Sequence, residues 1–522
     1  MSNEYNDGNR SIDSRERKRL PRWMQLPTTY RQREASQIAT WIESGASGCV
    51  VGLAESGRSN LLTFLCHRRD VLEEYLSRGR QVTLIPIDLF NLPANDLSNL
   101  YRTILHAFYW ERDCVPPDLH AYATELYMAN RASVDPFLPQ MATYDLLRAF
   151  EDADQQVVLV LNRFDRFCAT ATPQMLNTLR GLRDSFKSTL TYIVGMLQEV
   201  IYLANEAEVG DMYDILDRRV CWVGTMTDKD AGEMLLRDVL PKEIAPTSAE
   251  MNAILQLSGC FPGLIRTVGF WWLNNARANA SNEKIPIEGW QDALLQEPSI
   301  QFRLERIWNS LTQEEQLALS ETQKLEQQLI QAGCLPSRFA SPTLTSSTDA
   351  IHLPSSSTAS PKLPAALKKA LEGLVNHYGY ALSRLATKGL CKQVDSIWTI
   401  QSRLVAAFVE IHKGRAKGRI WVDEQTKQLH QGQETLQDVT GLQHAILAFM
   451  VQNARARLTY DDIISNAWPE EEQRDGISDN ALQVHIRSIR KRIEPNPAKP
   501  NYLVTWRGTP GGYIFYPEGR PE

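Results

Sequence analysis

A chain of 522 residues with 43% hydrophobic and 23% charged side chains has the balance of a globular protein too long for one core, which predicts about three to four domains. No apolar run approaches the roughly 18 residues of a membrane helix, and the start of the chain is polar and then basic (Arg15, Arg17, Lys18, Arg19, Arg22) without a secretory apolar stretch, so a cytoplasmic protein with no membrane partner is expected. The net charge of −6 excludes a uniformly basic nucleic-acid binder but not a local basic face, and the eight cysteines, with no CxxC pair and no histidine at metal-ligand spacing, read as reduced core residues and not as ligands.

Residues 1–27 read as a disordered basic tail. From Gly48 to Gly224 short β-rich runs alternate with helical stretches, the pattern of a parallel sheet covered by helices. The predicted strands are Cys49–Gly52, Gln81–Ile87, Val157–Leu161, Leu190–Gly195 and Val220–Val223, within an α/β P-loop NTPase domain spanning 28–226. The first strand runs into Gly52-Leu53-Ala54-Glu55-Ser56-Gly57-Arg58-Ser59 and a helix beginning Asn60-Leu61-Leu62, the context that a G-x-x-x-x-G-K-[ST] phosphate loop requires. Glycines Gly52 and Gly57 let backbone N–H groups turn onto phosphates, and Ser59 offers a hydroxyl to Mg²⁺. Arg58 stands where the motif has lysine, and its broad planar cation does not thread to the same oxygens. Asn162 stands where a magnesium-holding aspartate belongs and brings no charge to a cation, leaving Asp165 as the nearest acid for catalysis. ATP or ADP, with or without Mg²⁺, is the expected cofactor. Three outcomes stay open: an empty relic, binding without efficient turnover, and hydrolysis.

Residues 227–299 read as a helical lid broken at Gly259 and Pro262, and 300–412 as a winged helix interrupted by a Ser/Thr/Pro-rich stretch, 335–362, expected to be disordered. Tyr30-x-x-Arg33-Glu34, the phosphate loop, Leu161-Asn162-Arg163-Phe164-Asp165 and Gly259-Cys260-Phe261-Pro262-Gly263 together resemble the STAND branch of the AAA+-related ATPases over Thr28–His412. That resemblance implies a nucleotide contact for Pro262 and a module that controls assembly; Arg58 and Asn162 depart from the pattern and imply a pseudo-ATPase, not an efficient enzyme.

The last block, 417–517, reads as a separate domain. In the run from Ser478 to Ile493, Leu482, Ile486, Ile489 and Ile493 form one apolar stripe at helical spacing, and Asn480, Val484, Arg487, Ser488 and Lys491 form the opposite face, flanked by Arg490 and Arg492. An apolar back with a cationic and small polar front suits a DNA major groove. With Asp438-Val-Thr-Gly-Leu-Gln, Leu458-Thr-Tyr-Asp-Asp-Ile-Ile, Trp468 and the strand pair around Gly511-Gly512, the block resembles the winged helix of OmpR/PhoB-type regulators. The resemblance implies a minor-groove contact for Arg507, double-stranded DNA as partner, and a bacterial transcription regulator at the nucleoid. A homo-oligomer is expected because one winged helix covers few base pairs, and the input is expected from a signalling partner protein. The alternatives are an active ATPase that remodels a DNA-bound complex and a nucleotide-free scaffold.

Overall fold

The computed structural model describes residues 22–77, 81–203, 212–241, 244–278, 285–335, 363–412, 416–437, 439–468, 479–506 and 510–521. The chain divides into two compact units: residues 1–52 with 57–223, and residues 53–56 with 224–522.

The first unit is built on five parallel strands, β1 (Gly48–Val51), β2 (Val82–Asp88), β3 (Gln156–Asn162), β4 (Leu190–Met196) and β5 (Val220–Trp222), in the order β2-β3-β4-β1-β5. Both β3 and β4 are apolar and buried nearly throughout, as strands covered by helices on both faces must be. Helix α1 (Gln32–Glu43) precedes β1 and α2 (Arg58–His67) follows it. Three helices, α3 (Leu97–Trp110), α4 (Pro117–Asn130) and α5 (Phe137–Asp152), lie between β2 and β3, and α6 (Pro173–Ser185) precedes β4. The five expected strands are all present, displaced by at most a residue or two. One displacement matters, because β2 extends to Asp88 and sets that carboxylate in register with Asn162. Since β1 is flanked by β4 on one side and β5 on the other, the chain switches direction across the sheet there, the point at whose carboxyl strand ends open α/β sheets take their ligands.

The second unit begins with three helices, α7 (Asp228–Asp238), α8 (Ser248–Ser258) and α9 (Pro262–Ala278). Thr247 and Glu250 close a capping box on α8. Gly259 ends that helix at φ 58°, and a Cβ there would lie 2.5 Å from the Ser402 side chain, so only glycine fits. Next come α10 (Pro298–Asn309), α11 (Gln313–Gln331), α12 (Ala365–Thr387), the hairpin β6 (Cys391–Val394) with β7 (Ile397–Ile400), and α13 (Arg403–His412), a helical domain with one wing. Of the stretch expected to be disordered, residues 336–362 lie outside the described residues, as do residues 1–21 of the tail.

The last part of the unit has a three-stranded sheet of β8 (Ile420–Val422), β9 (Leu429–Gln431) and β10 (Glu434–Thr435), then α14 (Gly441–Gln452), β11 (Arg457–Thr459), α15 (Tyr460–Ala467), α16 (Asp479–Ile493), β12 (Leu503–Trp506) and β13 (Gly512–Phe515). The order β11-β13-β12 makes the second small antiparallel sheet, and with α14 to α16 this is the winged-helix architecture. A single core runs through it, from Ile420 and Leu429 through Ile446, Leu447 and Ile463 to Tyr502 and Phe515. Among the described residues no helix is long and apolar enough to cross a membrane.

Candidate functional site

The first candidate site lies where β1, β3 and β4 end. Gly57 sits at φ 84° as the N-cap of α2 and supplies no side chain to cap it, so the first amides of the helix are left for an external acceptor. Arg58 follows immediately and is 6% exposed, with Nε and one terminal nitrogen buried without a hydrogen-bond partner. Burial lowers its pKa to about 10, with Asp165 acting to raise it and Arg163 to lower it further, so the guanidinium is still charged at neutral pH. A buried cation with idle donors demands an anion. The opposite wall of this space is Gly195 of β4, where a Cβ would stand 3.1 Å from Asn162 Oδ1, 3.6 Å from Arg58 Nε and 2.6 Å from a Leu62 methyl. Gly195 is therefore the residue that lets Leu62, Asn162 and Arg58 approach the backbone of β4 this closely.

The Ser59 hydroxyl is 3.4 Å from Asn162 Oδ1, which also accepts from the Arg163 amide at 3.0 Å. Arg163, at φ 56°, donates from Nε to Asp88 at 3.0 Å and pairs with its second oxygen as well, while stacking its guanidinium 4.6 Å from the Phe90 ring centroid. Asp88 is the acid that sequence reasoning missed: its only signal was a carboxylate at a strand end. Its charge is taken up by Arg163, so it does not replace the missing magnesium ligand. Asp165, on a short helix Phe164–Cys168, keeps one buried carboxylate oxygen without a hydrogen-bond partner and remains the available acid. The structure thus gathers Gly52, Gly57, Arg58, Ser59, Asn162 and Asp165 at the carboxyl ends of β1 and β3, with Asn60 exposed on the first turn of α2. Idle Arg58 donors and open helix amides fit phosphate oxygens.

Residues 53–56, the tip of the loop, belong with the second unit. Glu55, at φ 73°, accepts the Gly263 amide on its carbonyl at 3.1 Å, and its carboxylate pairs with Arg303 and, at 3.0 Å, with Arg306 of α10. Pro262 is buried at the first position of α9, one residue before that contact. Neither Glu55 nor its arginine partners stood out in the sequence, because the separation is about 250 positions.

In the last domain Leu482, Ile486, Ile489 and Ile493 of α16 are all buried, at 2% exposure or less. Their burial turns Asn480, Val484, Arg487 and Lys491 outward, all of them exposed, with Val484 at 65%. Ser488 is half-buried and accepts from Gln443 Nε2 at 3.2 Å. Arg490 turns back into its own domain: it donates to the Leu503 carbonyl at 2.9 Å and the Thr505 hydroxyl at 2.8 Å, and burial lowers its pKa. Arg492 is half-buried at the end of the helix. Glu494, also unanticipated, is buried and collects the amides of Asn501, Tyr502 and Leu503 at 2.7 to 3.1 Å, fixing β12 against the end of α16. Arg507 lies outside the described residues, as does Ser478.

The family described as transcriptional regulatory protein, C terminal, matches residues 433–515. The C-terminal segment is similar to that family over those residues. Among relatives of this regulator-type domain, a probable transcriptional regulator, ycf27, of Galdieria sulphuraria is 28% identical over 98 residues, which is 19% of this chain and 37% of that protein. The transcriptional regulatory protein YvrH of Bacillus subtilis (strain 168) is 33% identical over 75 residues, 14% of this chain and 30% of the other. The chain thus spans about a third of the length of these relatives. A Walker-type ATPase of Pyrococcus abyssi aligns with 73% of this chain and 95% of its own, at 14% identity and a TM-score of 0.38. The P-loop assignment rests on the strand order and loop described above.

Proposed function

We propose that this protein is a DNA-binding transcriptional regulator whose nucleotide-binding module holds ATP or ADP without efficient hydrolysis and sets the assembly state of the chain. The observation that carries it is the outward face of α16: Asn480, Val484, Arg487 and Lys491 are exposed on a helix anchored by four buried aliphatic side chains. Held that way, the face can enter a major groove, with Arg487 placed to meet base edges and Lys491 phosphates. The relatives named as transcriptional regulators share this domain, which supports the same reading. For the nucleotide, the support is the buried, charged Arg58 with idle donors beside the Gly57 turn. Asn162 in place of an acid, and Asp88 engaged by Arg163, favour binding over turnover. The module is STAND-like in this reading, and double-stranded DNA, a second copy of the chain and a signalling protein are its partners.

The test is a gel-shift selection on genomic DNA fragments with the full-length chain, followed by salt titration of the best fragment. Binding that weakens steeply with salt and is reduced by Arg487→Ala supports the proposal. Binding indifferent to both salt and Arg487→Ala rejects it. Identifying the small molecule released when the purified protein is denatured decides the nucleotide part: ADP or ATP supports it, and steady Mg²⁺-dependent turnover favours an active ATPase switch instead.

A further inference from the structure

The end of α2 farthest from the phosphate loop carries a second constellation. His67 is the last residue of α2, Glu111 caps the end of α3, and Cys114 lies three residues further on, in a turn closed by its amide on the Glu111 carbonyl at 3.1 Å. The three donor atoms form a nearly equilateral triangle: Cys114 Sγ to His67 Nδ1 3.8 Å, Cys114 Sγ to Glu111 Oε2 3.7 Å, and His67 Nδ1 to Glu111 Oε2 3.7 Å. The nitrogen-to-oxygen edge is too long for a hydrogen bond, and on the other two the Cys114 thiol reaches its neighbours only at the long distances of sulfur contacts. The three edges are close to what a metal ion imposes. Bond lengths of about 2.0–2.3 Å to nitrogen, oxygen and sulfur at a tetrahedral angle give donor-to-donor edges of about 3.4–3.6 Å, so the triangle need contract by only about 0.1–0.3 Å per edge.

We propose that His67, Glu111 and Cys114 form a binding site for a zinc-class divalent transition metal ion. The donor set of imidazole, carboxylate and thiol matches such borderline ions and not Mg²⁺ or Ca²⁺, which take oxygen alone. The side chains of His67 and Glu111 are 21% and 16% exposed, sheltered but reachable, and Trp23 stacks on the imidazole at 4.5 Å, holding the ring plane. The Cys66 carbonyl lies 3.6 Å from Cys114 Sγ and completes the polar surroundings of the thiol. Three protein donors leave a fourth position for water or another ligand. On binding, the Cys114 Sγ–H bond breaks, its proton passes to solvent and the sulfur lone pair takes the metal. The ion would then tie the far end of the helix that begins with Arg58 to the turn after α3, a reach of about 15 Å along ten helical residues. The site escapes a reading by sequence spacing because His67 and Cys114 are 47 positions apart.

The experiment uses the full-length protein stripped with a chelator and titrated with Co²⁺ alone, then with Zn²⁺ as competitor. The expected result is about one equivalent of Co²⁺ with a thiolate-to-cobalt charge-transfer band, bleached by Zn²⁺ and accompanied by proton release. Cys114→Ser removes the band, and Cys334→Ser leaves it unchanged. Glu111→Gln, which keeps the shape of the side chain, weakens binding by more than the about 10- to 100-fold typical of losing an outer-sphere partner. Circular dichroism of each variant separates loss of the ligand from loss of the fold. A cobalt complex with no thiolate band, or a band that survives Cys114→Ser in folded protein, overturns the proposal, as does stoichiometry unaffected by Glu111→Gln and His67→Gln together.

Discussion

Arg58 shows how one side chain can be both the departure from a motif and the reason to believe in a ligand. A lysine in its place would reach phosphate as a point charge; the guanidinium instead is buried and leaves two nitrogens idle. Removing it should weaken ADP binding by about 1.5–3 kcal/mol, on the order of 10- to 100-fold in Kd, as titration calorimetry of Arg58→Ala against the natural chain will show. The paired change Arg58→Lys with Asn162→Asp should raise Mg²⁺-dependent phosphate release above that of the natural chain, because it supplies a compact cation and a charged magnesium ligand together. A second residue-scale case is Glu315. It is 1% exposed and pairs with Arg384 at 3.0 Å and Lys388 at 2.7 Å. Burial pushes its carboxyl up, but Lys388 and Arg384 more than reverse this, so it sits below the usual carboxylate range. A depressed folded pKa means stability that is present above the unfolded value of about 4.3 and lost as pH falls through the folded one. Glu315→Gln leaves two cations facing no charge and should cost about 3–5 kcal/mol, with a denaturation midpoint that is also less sensitive to acid than that of the natural chain.

At the scale of elements, α16 divides its cationic residues between two duties that spacing alone does not separate. Arg487 and Lys491 are exposed, whereas Arg490 spends its donors on the Leu503 carbonyl and Thr505 hydroxyl. Arg487→Ala should therefore lower affinity for a selected DNA by about 1–3 kcal/mol and relax its sequence preference, while Lys491→Ala should weaken all sequences alike and reduce the salt slope by about 1. Arg490→Ala should act on the attachment of β12, lowering the melting temperature and leaving the salt slope of whatever DNA binding remains unchanged. Truncating the anchor, Ile486→Ala, should destabilise the domain by about 2–5 kcal/mol because the side chain is 2% exposed within a single core. The apolar stripe was legible because a period near 3.6 survives any tertiary context. The inward turn of Arg490 was not, since it depends on where β12 comes to lie.

Within the second unit, the chain's last residues serve a helix some two hundred positions earlier. The first amides of α11 have no partners inside their helix, and Gln313 and Glu314 donate instead to the carbonyls of Gly519 and Glu518 at 3.2 and 3.1 Å. Glu518 is in turn gripped by Arg455 at 2.9 Å. Gly519 has φ 66°, and a Cβ there would fall 2.6 Å from the Gln313 side chain. Gly519→Val should loosen this junction, and hydrogen exchange at the Gln313 and Glu314 amides should accelerate with little change in the amides of β3. Unchanged exchange would mean that the tail does not protect the helix start. No periodicity in either segment announces such a bond, because the two lengths of chain are each complete as local structure.

The five strands, the phosphate-loop turn and the aliphatic back of α16 were all readable from the sequence, because each depends on side-chain period or on local backbone freedom at a few glycines. The pairing of Asp88 with Arg163, the orphaned donors of Arg58, the inward Arg490 and the triangle of His67, Glu111 and Cys114 were decided only by the tertiary structure. Each depends on which strand ends and helix ends the fold brings side by side. Charge, coordination and hydrogen bonding act over a few ångströms of space, while sequence records only separation along the chain.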